Sequence, residues 1–422
     1  MIQKPKGTYD VFGIYGKKTL YVEELLEGLM EKYNYEYFRT PLFESSNLFH
    51  RGVGETTDII TKETYDFKDK GDRLLTLRPE GTAGVVRSFI ENKMYGTYSM
   101  PVKAWYYGPM YRYERPQKGR FREFYQFGVE VFGSNSPMLD AEVISIPVNF
   151  FKLLGLKNVR VKINTLGDSE SRNNYRKALI EYFKPHMDSF CSDCKDRLEK
   201  NPLRILDCKI DKENEILKKC PKTIDYLNEE SKTHFEGVKK YLDALGIEYV
   251  VDTNLVRGLD YYTHTVFEVE ADIKDFGSQN VLCGGGRYNN LVETLDGPKT
   301  DGVGFAMGME RVMEAIISED VHLHVIDSID CFIIPITQEE TEYAYKLCMD
   351  LRLNGFIVDI DYDSKSIKSN FKTATKKNAK YVIIVGDEEQ KNNILTIKDN
   401  NTLEEYKVKY EDLLDFLDEN IE

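Results

Sequence analysis

The chain has 422 residues, 41% hydrophobic and 30% charged, with a formal net charge of −14. That length accommodates two or three domains with their own cores; with no apolar stretch after the first lysines and none of membrane-spanning length, the expectation is a cytoplasmic chain with no membrane association. Net acidity argues against non-specific nucleic-acid binding by the surface as a whole, but two local patches are basic: Arg115, Lys118, Arg120 and Arg122, and the run from Ser364 to Lys380, which holds six lysines and no acidic residue.

Val22, Leu25, Leu26, Leu29 and Tyr33 recur at helical spacing, which predicts an amphipathic helix over residues 17–33. The aromatic stretch 35–44 reads as an edge strand broken at Pro41. Residues 59–78 alternate about a turn at residues 69–72 and lead into LRPEGT, where Pro79, Gly81 and Gly84 bend the chain into a helix ending near Asn92.

Residues 104–131 predict a second hairpin. At period two its first strand puts Arg112 and Glu114 on one face and Trp105, Tyr107, Tyr111 and Tyr113 on the other. The second strand gathers Phe124, Gln126, Gly128 and Glu130 opposite Phe121, Tyr125, Phe127, Val129 and Val131. One face is expected to be a site and the other core. Arg112 offers a fixed fork of donors to a phosphate, Glu114 can accept from an exocyclic amine, and Phe124 can stack on a base. Gln126 and Glu130 remain for a polar, partly cationic second substrate.

A helix over 138–154 and a strand at 159–164 follow. Residues 168–248 are highly charged, helical in pattern and hold four cysteines, which reads as an inserted helical module. Strands resume over 249–270 and 281–283. The triple glycine 284–286 is expected to precede a helix reaching Leu295, and a strand ending near Met307 to pass into a helix with Met309, Val312, Met313 and Ile316 buried and Arg311 turned toward a ligand. After a linker at 322–330, strand and helix alternate, predicting a separate α/β domain with a largely parallel sheet.

Neither common phosphate loop is present: Val11 stands where a Walker loop needs its first glycine, and Met307 where a dinucleotide loop needs its third. A nucleotide would have to be held by Arg112, Arg257 and Arg311, each near a glycine (Gly108, Gly258, Gly308) that permits close approach. The histidines form no metal set, with His322 and His324 in the linker. Cys283 is expected to line a pocket. Seven cysteines in so long a chain suit a reducing environment. Cys191-x2-Cys194, with Cys208 and Cys220, supplies one close pair where a tetrahedral thiolate site wants two, so free thiols are expected and no metal site is assigned.

With KGTYD at 6–10, LRPEGTA at 77–83, GPMYRYERPQKGRFREFYQFGVEVFG at 108–133, LVRGLDYYT at 255–263, GGGRYNNL at 284–291 and GVGFAMGMERV at 302–312, the chain resembles the bacterial-type histidyl-tRNA synthetases over nearly its whole length. The resemblance implies an α+β class II synthetase. Its antiparallel sheet, flanked by helices, would occupy a catalytic domain over 1–325 with the 168–248 insertion, followed by an anticodon-binding α/β domain over 330–422. It also implies a homodimer with Pro41 at the interface, ATP and Mg²⁺, and attachment of L-histidine to tRNA(His) through a histidyl-adenylate.

By the same resemblance Arg112 and Arg257 are catalytic, and Arg112, Glu114, Phe124, Arg120 and Arg311 hold ATP, with Phe124 and Arg311 on the two faces of adenine. Glu80, Thr82 and Gln126 take histidine's α-amino group; Glu130, Tyr261 and Tyr262 take its imidazole, with Arg257 beside them. Arg115, Gln117 and Lys118 meet the tRNA acceptor end. The alternative is a catalytically silent relative such as the regulatory subunit of ATP phosphoribosyltransferase. Such relatives lose catalytic blocks and usually the C-terminal domain, whereas the three arginines and residues 330–422 are all here.

Overall fold

An eight-stranded sheet organises the larger of two units into which the chain divides, residues 1–11 with 19–323; residues 12–18 with 324–422 form the other. The computed structural model describes residues 1–422 except 55, 56, 58, 207, 209, 212, 274–279, 364 and 422. The six central strands run antiparallel in the spatial order Val102–Tyr111, Glu123–Phe132, Gly302–Gly308, Val281–Arg287, Thr263–Ala271 and Val159–Thr165. Glu36–Tyr37 and Tyr249–Val251 close the two edges in parallel. Edges this short leave little unpaired backbone.

Helix Thr82–Glu91 packs Val85, Val86 and Phe89 on Val102, Ala104, Tyr106, Met110 and Phe132 of the sheet. The valine, phenylalanine and methionine side chains among them each contribute about 1.5–3 kcal/mol on burial. Helix Pro137–Leu154 opens at Ser136, whose hydroxyl accepts from the Met138 amide, and stops at Gly155, which sits at φ 86 where a side chain would be strained. It is pinned to the sheet by Asp140, which accepts from the fully buried Arg287 guanidinium. The first helix, Gly13–Tyr33, starts earlier than its periodicity suggests and buries Val22, Leu26, Leu29 and Met30.

Several expectations are corrected. Residues Ile59–Glu63 form a wide helical turn rather than a strand; Tyr65–Lys68 and Leu74–Leu77 then make the hairpin, which Phe43–Ser45 joins as a third strand. The triple glycine lies inside strand Val281–Arg287, and the helix after it is only Leu291–Thr294. Arg112, Glu114 and Phe121 lie beyond the ends of the long hairpin strands, so period two does not govern them. Nor do that hairpin's faces divide into site and core, because Ala104, Tyr106 and Met110 on one side and Phe127, Val129 and Val131 on the other are all buried.

The 168–248 segment forms helices Ser169–Phe183, Ser192–Lys200 and Glu229–Ala244 with short turns between them. Its apolar core, including Tyr175, Leu179, Phe183 and Ile205, continues into Tyr262 and Val266 at the eight-stranded sheet. The cysteine pattern also differs from the expectation. Cys191, Cys194 and Cys208 come together with Asp211, while Cys220 stays outside the group. Cys208 and Asp211, linked by the Asp211 amide donating to Cys208 Sγ, supply the second close pair, with a carboxylate in place of a thiol.

In the other unit, strands Val358–Ile360, Ile329–Pro335 and Ala379–Val385 are parallel, but Ile394–Asp399 and Glu405–Lys409 continue antiparallel, so the sheet is mixed. Most of the basic run lies on helix Ile367–Lys376, with Lys368, Lys372 and Lys376 exposed; Lys365 and Lys377 pair with Asp363 at 2.8 Å and Asp359 at 2.7 Å. Ser364 lies outside the described residues. Among the described residues no helix is long and apolar enough to cross a membrane.

Candidate active site

A cavity of about 320 Å³ opens on the sheet and is lined by Arg112, Arg257 and Arg311, which come from distant parts of the chain. Glu80, Thr82, Glu114, Arg120, Phe124, Gln126, Glu130, Tyr261 and Tyr262 share it. Arg115, Gln117 and Lys118 do not; they are exposed on the loop between the hairpin strands, whose Gly119 and Arg120 reach the cavity.

At one end of the cavity the hairpin loop sets the cations. The Arg112 amide donates to Arg122 O at 2.9 Å, closing the loop, and the Arg112 side chain donates to Pro79 O at 2.9 Å. Its guanidinium lies 5.1 Å from the Phe124 ring centroid. Arg120 donates to Glu114 at 2.9 Å. Arg311, at the head of helix Met309–Ser318, donates to Val281 O at 2.8 Å. Burial, helped by the charge of Arg120, pulls its pKa down to about 10, so this end of the cavity favours an anion. The N-terminal segment braces the same loop: the Arg122 amide donates to Gly7 O at 2.8 Å, and Tyr9 packs against Phe121 with tilted rings 4.7 Å apart and donates to Glu310.

The other end is a buried polar floor. Glu80 accepts from the Thr82 and Ala83 amides at 2.9 and 2.7 Å and so caps helix Thr82–Glu91. Glu130 accepts from the Thr82 hydroxyl at 2.6 Å and from the Tyr288 hydroxyl. Burial, with the Glu80 charge nearby, pushes Glu130 up to about 8. Gln126 lines the cavity, and its Oε1 is buried without a hydrogen-bond partner. Between the two ends Arg257 pairs with Glu268; burial alone would lower its pKa, but that carboxylate raises it, so the guanidinium stays charged.

Two glycines make this geometry possible. A Cβ on Gly284 would overlap the Arg257 guanidinium, and one on Gly304 would overlap the Glu130 carboxylate and Val129 O. Of the glycines expected beside the arginines, Gly308 lines the cavity, whereas Gly108 makes room for Arg78 and a Cβ on Gly258 would meet nothing within 4 Å. Cys283 lines the cavity as expected. Sequence reasoning missed Tyr288 and Glu268. Tyr288 stands within the GGGRYNNL block and could have been found there; Glu268 carries no local signal, because its role depends on Arg257 lying across its strand.

The antiparallel sheet thus brings a hairpin-loop arginine and a helix-head arginine to one cavity, the arrangement that the resemblance to class II aminoacyl-tRNA synthetases implies. The histidyl-tRNA synthetase family model matches residues 16–312, and an anticodon binding domain model matches residues 330–420. The histidine–tRNA ligases of Staphylococcus haemolyticus and Macrococcus caseolyticus are each 50% identical to this chain, over 99% of it and 99% of their own length. The chain belongs to the histidyl-tRNA synthetase family. The crystal structure of apo S. aureus histidyl-tRNA synthetase superposes with a TM-score of 0.86 at 44% identity, over 99% of this chain and 100% of that one. A structure named as an ATP phosphoribosyltransferase regulatory subunit/histidyl-tRNA synthetase from Bacillus halodurans, at 22% identity and a TM-score of 0.65 over 92% of this chain and 98% of that one, shares the fold.

Proposed function

We propose that this chain attaches L-histidine to tRNA(His), driven by ATP, through a histidyl-adenylate formed in the cavity described above. The observation that carries the reading is the convergence of Arg112, Arg257 and Arg311 on one cavity whose far end is a buried carboxylate and hydroxyl floor. Histidine's carboxylate attacks the α-phosphate, and nothing needs to be deprotonated, so positioning and charge stabilisation carry the step. Arg112 and Arg257 neutralise the charge that accumulates on the phosphate as pyrophosphate leaves. Phe124 and Arg311 enclose the adenine, Glu114 accepts from its exocyclic amine, and Arg120 serves the nucleotide's outer phosphates.

Glu80, Thr82 and Gln126 hold the α-amino group. Glu130 with Tyr261 and Tyr262 selects the imidazole, because an apolar isostere would leave these buried groups unpaired. Mg²⁺ fits as a companion of the nucleotide: Glu114, Glu268 and Glu310 in the cavity are already engaged by Arg120, Arg257 and Tyr9, so a hard cation would find its ligands mainly on the outer phosphates. There it would neutralise phosphate charge.

In the second half-reaction Arg115 and Gln117 meet the acceptor end of the tRNA through base edges, and Lys118 meets phosphate. Residues 1–325 form the catalytic domain, with its insertion at 168–248, and residues 330–422 read the anticodon. The working form is a cytoplasmic homodimer. The silent-regulator reading has less support, since all three arginines and the anticodon-binding match are present.

Arg257→Ala tests the assignment. Histidine-dependent pyrophosphate exchange should fall by ~10²–10³-fold or more with the fold retained by circular dichroism, and among the amino acids only histidine should support exchange in the parent chain. Near-normal exchange in Arg257→Ala would refute the role.

A further inference from the structure

Away from the cavity, Cys191, Cys194, Cys208 and Asp211 each turn one ligand atom into a common space, all four atoms lying within 4.8 Å of one another. Cys191 Sγ is 3.7 Å from Cys208 Sγ, and Cys208 Sγ is 3.3 Å from Asp211 Oδ2. A zinc ion bound by thiolates at about 2.3 Å and a carboxylate oxygen at about 2.0–2.2 Å requires tetrahedral edges of about 3.8 Å between sulfurs and about 3.6 Å between sulfur and oxygen. The spacing fits four ligands around one small ion.

The backbone supports the same arrangement. The Asp211 amide donates to Cys208 Sγ at 3.4 Å, and the Cys191 amide donates to Asp211 Oδ2 at 3.2 Å, so ligand atoms receive the outer hydrogen bonds that orient metal ligands. Both pairs have the same spacing, Cys191-x2-Cys194 and Cys208-x2-Asp211. Cys194, Cys208 and Asp211 are buried, which suits a closed structural site rather than a catalytic one that keeps an open position. Three soft thiolates select zinc over hard cations.

We propose that these four side chains bind one zinc ion, which clips residues 191–211 into a closed loop. That loop carries Asn201 and Arg204, which donate to Asp260 Oδ1 at 3.0 Å and to Gly258 O at 2.6 Å. The ion therefore fixes the segment that braces the stretch between Arg257 and Tyr261.

Elemental analysis of the full chain, purified under reducing conditions without chelator, should find stoichiometric zinc. Cys208→Ser and Asp211→Asn should lose it, while Cys220→Ser, outside the set, should keep it. Because a ligand variant could also fail to fold, a second measurement uses the parent chain: after zinc is stripped, added Co²⁺ should give the thiolate charge-transfer and intense visible bands of a tetrahedral site, abolished by one equivalent of zinc. Parent chain that carries no zinc and gives no such cobalt spectrum would overturn the proposal. So would a Cys191–Cys208 disulfide in place of metal, or Cys220→Ser losing zinc as completely as Cys208→Ser.

Discussion

Glu130 sits fully buried between two hydroxyls, with Glu80 in the same floor. Its carboxyl titrates near 4.5 when solvated but is pushed up to about 8 here, so between those values the native state holds a proton the unfolded chain has lost. Stability from this group is full below 4.5 and falls as pH rises toward about 8. Thermal melts of the ligand-free enzyme should show that decline, and Glu130→Gln, neutral at every pH, should flatten it; parallel curves for the two would remove Glu130 as its source. The protonated carboxyl also suits the proposed ligand. It can donate to a neutral imidazole and become the carboxylate of an imidazolium pair without drawing a proton from solvent. Most of these side chains were legible because their types fit the chemistry in short, ordered blocks. The glycines that make room for them were not, since a missing Cβ matters only relative to a side chain arriving from another strand, as Arg257 does over Gly284.

The hairpin loop between the two long strands separates two tasks. Arg112 and Glu114 turn inward, while Gln117 is exposed on a tight turn in which it exchanges backbone hydrogen bonds with Arg120. Gln117→Ala should therefore slow aminoacylation of tRNA by ~5–10-fold, the loss of one polar contact, and leave pyrophosphate exchange within twofold; equal loss of both would count against a tRNA role. A second loop is held by the insertion. Arg172 donates to Tyr262 O at 3.0 Å, and Arg204 donates to Gly258 O. Arg204→Ala should raise the KM for histidine by ~5–10-fold, with a smaller change in kcat and partial rescue by Arg204→Lys. An unchanged KM accompanied by a lowered melting temperature would mark Arg204 as merely structural. Helices and antiparallel strands were legible from periodicity, as in helix Met309–Ser318 with its four expected residues buried. What periodicity could not supply was the placement of residues just past a strand end, such as Arg112, or a ligand pair completed by a carboxylate, as at Cys208 and Asp211.

At the scale of the molecule, the three-stranded sheet beside Pro41 exposes Leu42, Phe43, Phe67 and Leu74, with Phe43 at 52% and in edge-on contact with Phe67. An apolar patch of this kind suits contact with a second copy. If it is the homodimer interface, Phe43→Glu should weaken dimerisation by ~30-fold or more, the effect of losing a central aromatic anchor, as measured by sedimentation at enzyme concentrations near the dissociation constant. A variant that sediments as the parent does would place the interface elsewhere. The continuous core between insertion and sheet has an effect of a different kind. Tyr262 and Val266 are packed among insertion side chains, so the 168–248 segment cannot be excised, exchanged or loosened without uncovering Tyr262, part of the cavity wall. Truncating the fully buried Tyr175, Leu179 or Phe183 should therefore lower the melting temperature and, through the shared core, disturb Tyr262 as well.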